Sequence, residues 1–351
     1  MNASMIGLDI AKSVFQVHGE DGGGGCVVQQ RLRRSQVLEF FGKLAPARIG
    51  IEACGTAHYW GRELTALGHE VRLIPPAYVK AFVRRNKTDA RDAAAICTAL
   101  GRPDMRFVAV KSEAQQAARA LERGRDLLVR QHTQLMNHVR SELAEFGIVA
   151  APGRAGFAAL AATVTAGSIA PALAALFETL RPMVHQIEQL AAASAQFERR
   201  IVAAARIQSA MRRLMTIPGV GPLTAHAIVT AIGEGRQFAS ARDFAAWCGL
   251  TRRVDQTANT RRQHGISRQG DNGVRKLLVL GASALLRHRR TAPERATPWL
   301  RGILARRPVK VAVIAQAARN ARIAWALLQS GECYRHPQSA NTDTASAASA
   351  A

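Results

Sequence analysis

Four carboxylates carry the first chemical signal in this chain: Asp9, Glu52, Asp89 and Asp92. Asp89 and Asp92 stand three residues apart in Asn86-Lys87-Thr88-Asp89-Ala90-Arg91-Asp92, at the head of an apolar run through Ala93, Ile96 and Leu100. In a helix they share one face, and like charges that close call for a cation. Asp9 and Glu52 fall in strand-like stretches where the apolar residues hold one parity and the acid takes the other. Such acids are costly to desolvate unless something positive meets them. Hard divalent cations prefer carboxylate oxygens, and phosphoryl-transfer sites often hold two such ions about 4 Å apart. The same residues read about as well as strand-end and helix-start acids meeting water, since Asp in a first helical turn is ordinary dipole complementarity.

A second signal is Ile217-Pro218-Gly219-Val220-Gly221 ahead of a helical run. A turn with Gly219 and Gly221 exposes backbone N–H groups at a helix N-terminus, a natural phosphate contact and the helix-hairpin-helix pattern of sequence-independent DNA binding. A tight helix-helix turn that needs glycine for its φ angles has the same spacing. The third signal is the reach from Arg252 to Lys310, with fifteen Lys or Arg residues against three acids, a net of +12. Arg252, Arg253, Arg261, Arg262, Arg268, Arg275 and Lys276 belong to it. So one-sided a stretch repels itself without phosphate.

The elements that must position these groups follow from periodicity. Strands are predicted at Met5 to Ile10, Val14 to His18, Cys26 to Leu32, Ala47 to Glu52, Glu70 to Ile74 and Phe107 to Val110. Helices are predicted at Gln36 to Leu44, His58 to Leu67 and from Asp89 onward. A three-strand meander followed by alternating helix and strand is the pattern of an RNase H-like α/β domain. From Ser112 to Phe146 the pattern becomes long helix, with Leu121, Leu128 and Leu135 recurring at seven. After the breaker Ala151-Pro152-Gly153-Arg154, a second long helix is predicted from Glu178 to Arg206. Its stripe is Val184, Ile187, Ala191, Ser194, Phe197 and Ile201. The two suggest an antiparallel hairpin, and their stripes are equally suited to pairing with another protomer. Beyond the glycine turn, helices are predicted at Leu223 to Ile232, Ala241 to Cys248, Asn272 to Arg287, Pro298 to Arg306 and Val309 to Gln329. The tail after Pro337, rich in Ala, Ser and Thr, is predicted to be disordered.

Composition sets the outer bounds. The chain has 351 residues, 48% of them hydrophobic, enough for two or three domains with real cores. A formal charge of +23 points to a polyanion partner, most simply nucleic acid. Five scattered cysteines with no C-x-x-C pair argue against a disulfide framework or a zinc site and fit a reducing cytoplasm. The N-terminus lacks the regions of a signal peptide. The uncharged run Phe157 to Phe177 is long enough to test as a membrane span, but its Ala, Thr, Gly, Ser and Pro content makes insertion weak.

These motifs resemble, in order and spacing, the IS-one-ten insertion-sequence transposases, also called DEDD transposases, and among them the IS-eleven-eleven branch. The matching stretches are Gly7-Leu8-Asp9-Ile10-Ala11-Lys12, Glu52-Ala53-Cys54-Gly55-Thr56-Ala57-His58-Tyr59-Trp60, Asn86 to Ala93, Ile217 to Gly221 and Gly265-Ile266-Ser267-Arg268-Gln269-Gly270-Asp271. The resemblance implies a RuvC-like domain (residues 1–111), a helical coiled-coil region (112–207), a C-terminal transposase domain (208–335) and a tail (336–351). It implies that Asp9, Glu52, Asp89 and Asp92 bind Mg2+ or Mn2+. It further implies recombination of donor and target DNA guided by a structured noncoding RNA, in a dimer or tetramer, in a bacterial cytoplasm at the nucleoid, with no membrane. The family also uses a serine nucleophile in a Ser-Gly step after a Gly-Leu pair. Counting from Gly249-Leu250 forward and from Gly265-Ile266-Ser267 back lands on Thr257-Ala258, and the usual Pro after Gly-Leu-Thr is Arg252. Thr257 keeps a hydroxyl for attack on phosphate. Ser267 is the nearest alternative. Two other readings share these residues: a metal-dependent structure-specific nuclease without a covalent intermediate, and a nucleic-acid-binding remnant that no longer moves.

Overall fold

The computed structural model describes residues 3–83, 88–168, 170–257, 260–291 and 296–335, with the side chains of 289–291 left aside. Asn86, Lys87, Ala258 and the tail fall outside the described residues. The chain divides into two units, Met1–Gln116 and Ala117–Ala351.

The first unit begins with strands β1 (Met5–Ile10), β2 (Val14–Glu20) and β3 (Cys26–Arg33). Helix α1 (Val37–Gly42), strand β4 (Arg48–Glu52), helix α2 (Ala57–Ala66) and strand β5 (Glu70–Ile74) follow, then the short α3 (Pro76–Val79) and α4 (Asp89–Leu100). The five strands form one sheet in the order β3-β2-β1-β4-β5. β2 is antiparallel to β1 and β3, while β4 runs parallel to both β1 and β5. Alternation decides the two faces. Ile6, Leu8, Ile49, Ile51 and Leu73 pack with Phe41, Trp60 and Leu64 of α1 and α2. The opposite face belongs to α4, whose Ile96 and Leu100 join Ile74 and Val79. Each such apolar side chain stabilises the unit by about 1.5–3 kcal/mol.

The strand predicted at Phe107 to Val110 is not formed. Val108 makes one bridge to Leu73, and the chain then leaves the sheet for α2. Val110 lies against Gly61, and the Lys111 N–H donates to His58 Nδ1 at 3.2 Å.

The second unit takes up the greater part of helix α5 (Glu113–Glu145), then α6 (Arg154–Ala166) and α7 (Pro171–Ile207). α5 and α7 lie antiparallel. Gly124 faces the Phe197 ring and Arg125 pairs with Glu198, while Val139 and Leu143 meet Phe177, Leu180 and Val184 further along. The predicted stripe on α7 is buried at Val184, Ile187 and Ile201 and half-buried at Ser194 and Phe197, while Ala191 is exposed and its neighbour Leu190 is half-buried. The uncharged run from Phe157 forms α6 and the start of α7, burying Phe157, Leu160 and Val164 in that same cluster. Among the described residues no single helix is long and apolar enough to cross a membrane.

Helices α8 (Ser209–Met215), α9 (Pro222–Ile232), α10 (Ala241–Trp247), α11 (Asn272–Thr291), α12 (Pro298–Leu304) and α13 (Val309–Ser330) complete the unit around a core that includes Leu214, Ile228, Phe244, Leu278 and Ala317. Between α10 and α11 the chain forms a two-stranded ribbon that periodicity did not predict, β6 (Arg252–Thr257) and β7 (Thr260–Ile266).

Candidate metal centre and nucleic-acid interface

Two glycines set the depth of the acidic site. Gly7 of β1 and Gly50 of β4 are partners in register. A Cβ on Gly7 would fall 2.1 Å from the Ala93 carbonyl oxygen and 2.6 Å from the Cys97 nitrogen. One on Gly50 would press on Ile96 at 3.1 Å and Leu100 at 3.3 Å. Their bare backbone makes a trough into which α4 settles. Asp9 and Glu52 lie two residues beyond these glycines, so alternation puts both on the face that α4 covers. Thr88 caps the helix by accepting from the Arg91 N–H at 3.4 Å, which sets Asp89 and Asp92 in its first turn.

Asp9, Asp89 and Asp92 each bring a carboxylate oxygen within 4.8 Å of the others. Oxygens bound to one hard cation at about 2.0–2.6 Å lie within such a span of each other, so the three fit a divalent ion. Asp89 is exposed, Asp9 half-buried and Asp92 buried. Glu52 does not join the three, although it follows Ile51, the partner of Leu8, and so stands beside Asp9 one strand over. Both acids are felt at Cys54: burial first, then the charges of Glu52 and Asp9, push its thiol above the usual range. Close to Cys54, Thr56 adopts a left-handed φ of 70°, a conformation a β-branched residue holds only under constraint. The glycine pair was the signal that sequence reasoning passed over. Gly-x-Asp and Gly-x-Glu recur at strand ends that lie in register.

The glycine turn is built differently from a free phosphate cradle. Gly219 has φ 85°, and a Cβ there would meet the Gly281 carbonyl at 2.9 Å, while one on Gly281 would come 1.9 Å from the Gly219 oxygen. The two backbones of the turn and α11 are thus in contact. Asn320, buried in α13, donates to the Pro218 carbonyl at 3.0 Å and accepts from Gln316 at 2.7 Å. Gly221 has an ordinary φ of −90°, is exposed, and caps α9.

The basic side chains divide into tied and outward groups. Arg275 donates to the carbonyls of Cys248 (3.0 Å) and Gln269 (2.6 Å) and to Asn272 (2.9 Å), fastening the loop ahead of α11. Lys276 pairs with Asp126 of α5. Asp271 caps α11 by accepting from the Val274 N–H at 2.9 Å and also pairs with Arg119, which holds Glu122 at 3.0 Å. The Gly265 to Asp271 stretch therefore closes the ribbon and starts a helix. Gly270 has φ 69°, where a Cβ would lie 1.7 Å from the Trp247 oxygen. Arg268 is exposed at φ 56°.

Arg252, Arg253, Arg261 and Arg262 are exposed on the ribbon, as is Thr257 at the end of β6, opposite Thr260. Register puts Arg253, Asp255, Thr257, Arg262 and His264 on one face and Arg252, Gln256, Arg261 and Gln263 on the other. Arg252 bonds Gln263 at 2.6 Å. Asp255 accepts from Arg253 at 3.0 Å and lies 3.0 Å from His264 Nε2, and the Arg253 hydrogen bond holds its carboxyl below the usual range. Ser267 is half-buried at the ribbon's base, its N–H on the Thr251 carbonyl at 2.8 Å. A two-stranded ribbon with cations on both faces has the shape and charge to enter a DNA groove.

Residues 6–148 match a profile of DEDD transposases, and residues 211–297 match one described as the transposase IS116/IS110/IS902 family. The chain is 47% identical to a probable family 20 transposase of Pseudomonas aeruginosa, over 95% of this chain and 99% of that protein. It is 35% identical to the transposase for insertion sequence element IS1328 of Yersinia enterocolitica, over 95% and 99% of the two chains. It is also 35% identical to the transposase for insertion sequence element IS1111A of Coxiella burnetii, over 94% and 91%.

Proposed function

Because the chain belongs to the IS116/IS110/IS902 family of transposases, we propose that it is a site-specific DNA recombinase that cuts and rejoins strands through a carboxylate-held divalent ion and a hydroxyl nucleophile. The observation that carries this reading is the convergence of Asp9, Asp89 and Asp92 at the end of a β3-β2-β1-β4-β5 sheet. That strand order, with β2 antiparallel, is what supports a RuvC-like first domain. The α8–α9 turn supports a helix-hairpin-helix contact, through Gly221 more than Gly219. The antiparallel α5 and α7 support a coiled-coil middle.

Asp9, Asp89 and Asp92 would hold Mg2+ or Mn2+, with Glu52 beside them, and when bound there the ion would supply Lewis-acid polarisation of a phosphodiester oxygen. The Thr257 Oγ attacks phosphorus: an Oγ–P bond forms, the P–O bond to one deoxyribose breaks, the hydroxyl proton leaves to solvent and the departing sugar oxygen takes one up. Rejoining runs the same exchange in reverse with a different strand. Exposure favours Thr257 over the half-buried Ser267. Arg252, Arg253, Arg261, Arg262 and Arg268 grip phosphates. Arg275 and Lys276 act first in holding the loop and α5. A charge of +23 leaves room for a structured guide RNA beside donor and target DNA, and exchange of several strands requires a dimer or tetramer.

The test is trapping a protein–DNA ester on a nicked substrate carrying the element's own junction and flanking RNA. Thr257→Ala and Asp9→Asn should each abolish the adduct, and Ser267→Ala should retain it. An adduct that survives Thr257→Ala and vanishes with Ser267→Ala moves the nucleophile. Cleavage that needs Asp9 but ignores both hydroxyls makes the chain a hydrolytic nuclease.

A further inference from the structure

The stretch that carries Glu52 continues into His58-Tyr59-Trp60, which the chemistry above leaves unused. His58 is occupied in accepting the Lys111 N–H, and Trp60 is buried edge-on to Phe15 at 4.9 Å. Tyr59 is 38% exposed. It borders an open groove of about 720 Å³ whose walls include Lys12, Ser13, Arg33, Arg34 and Trp60. No acid lines it. The ladder of β2 and β3 fixes the cations, with Val14 paired to Arg33 and the Arg34 N–H on the Ser13 carbonyl at 2.9 Å. The Arg34 guanidinium lies over the Trp60 ring, 5.0 Å from its centroid, so it is held in place before any ligand arrives.

Three cations around one exposed aromatic ring are suited to a polyanion that also presents flat faces. A duplex offers phosphates but hides its bases, whereas an unpaired strand offers both. The volume falls in the range that encloses nucleotide-sized groups. We propose that this groove binds single-stranded DNA, with phosphates on Lys12, Arg33 and Arg34 and one base stacked on Tyr59. Lys12 lies just past the end of β1, three residues after Asp9. The groove and the carboxylates thus both lie at the end of β1, and a role for the groove in guiding a cut strand rests on the proposed cutting site, although the binding itself does not.

The experiment uses the full chain and an oligothymidylate of about twelve nucleotides, a common site size for such grooves, with duplex and oligouridylate of equal length beside it. Thymidylate carrying one iodouracil should photocrosslink to the peptide holding Tyr59. Tyr59→Ala should weaken thymidylate binding by about tenfold, in the range lost with one stacked base, and Tyr59→Phe should stay within about twofold. Duplex binding should not change. The proposal is overturned if Tyr59→Ala binds thymidylate as well as the parent chain, if the crosslink maps only elsewhere, or if oligouridylate alone loses affinity, which would make the groove an RNA site. Asp9→Asn separates the two readings. Loss of cleavage with the crosslink absent removes the groove alone. Cleavage retained with the crosslink present removes the cutting site alone.

Discussion

The acidic cluster and the Thr257 ribbon are built by opposite means. Asp9, Asp89 and Asp92 are placed by packing: a glycine trough seats α4, and the seated helix carries its first turn to the end of β1. Thr257 ends a strand exposed on both faces. One region is pre-organised by its own fold, so its geometry exists before a ligand arrives. The other projects cations and a hydroxyl outward, and on the proposed function a bound nucleic acid would complete the geometry. Substitutions should therefore damage the first region through the fold and the second only through function.

Gly7→Ala should do the most harm. Its methyl would collide with helix backbone at 2.1 Å, which cannot swing aside as a side chain can. We expect a loss of about 3 kcal/mol or more in urea unfolding, together with loss of divalent-ion binding by calorimetry. Thr257→Ala, by contrast, should change stability by less than about 0.5 kcal/mol. If the two variants unfold alike, the contrast between the regions is wrong.

Arg119→Ala sharpens it at the ribbon's anchor. Arg119 is 13% exposed and bridges Glu122 and Asp271, so its removal leaves two acids without their shared cation and should cost about 3 kcal/mol. A loss of that size would mean that the parent ribbon, free in its strands, is rigid in its footing. A thermal unfolding curve unchanged by the substitution would show that the footing does not depend on this bridge.

Gly50→Ala is the milder partner of Gly7→Ala. Its methyl meets only the side chains of Ile96 and Leu100, at 3.1 and 3.3 Å, which can give way. The expected loss is about 1 kcal/mol. Equal losses at Gly7 and Gly50 would mean that α4 is seated by something other than the trough.

Sequence periodicity recovers this chain best where one face of an element is buried. The alternation at Ile6, Leu8 and Ile10, and again at Ile49 and Ile51, marks β1 and β4 because α1 and α2 cover that face. It missed β6 and β7 for the converse reason. With neither face covered, Arg252 to Ile266 carries polar residues at both parities. The Phe107 to Val110 strand failed because only Val108 keeps to the sheet, as a single bridge to Leu73, while Val110 is seated against Gly61 of α2. Parity correctly put Asp9 and Glu52 on one face, but only the depth of α4 determines which acids meet. Glu52 is one strand away, about 4.8 Å at the backbone, and stays outside the three.

Cys54 reports how far Glu52 still belongs to that site. Burial and the charges of Glu52 and Asp9 raise its pKa, so at a given pH a smaller share is thiolate, the reactive form. At about pH 8.5, alkylation mapped by mass spectrometry should run slower at Cys54, exposed though it is, than at cysteine free in solution. Removing a nearby negative charge lowers the pKa again and raises the thiolate share. Glu52→Gln should thus speed Cys54 alkylation by about twofold, because burial is the larger cause and remains. Asp255→Asn, on the ribbon, should leave it unchanged. A Cys54 rate indifferent to Glu52→Gln would place that carboxylate outside the electrostatic field of the cluster, leaving Asp9, Asp89 and Asp92 to hold an ion by themselves.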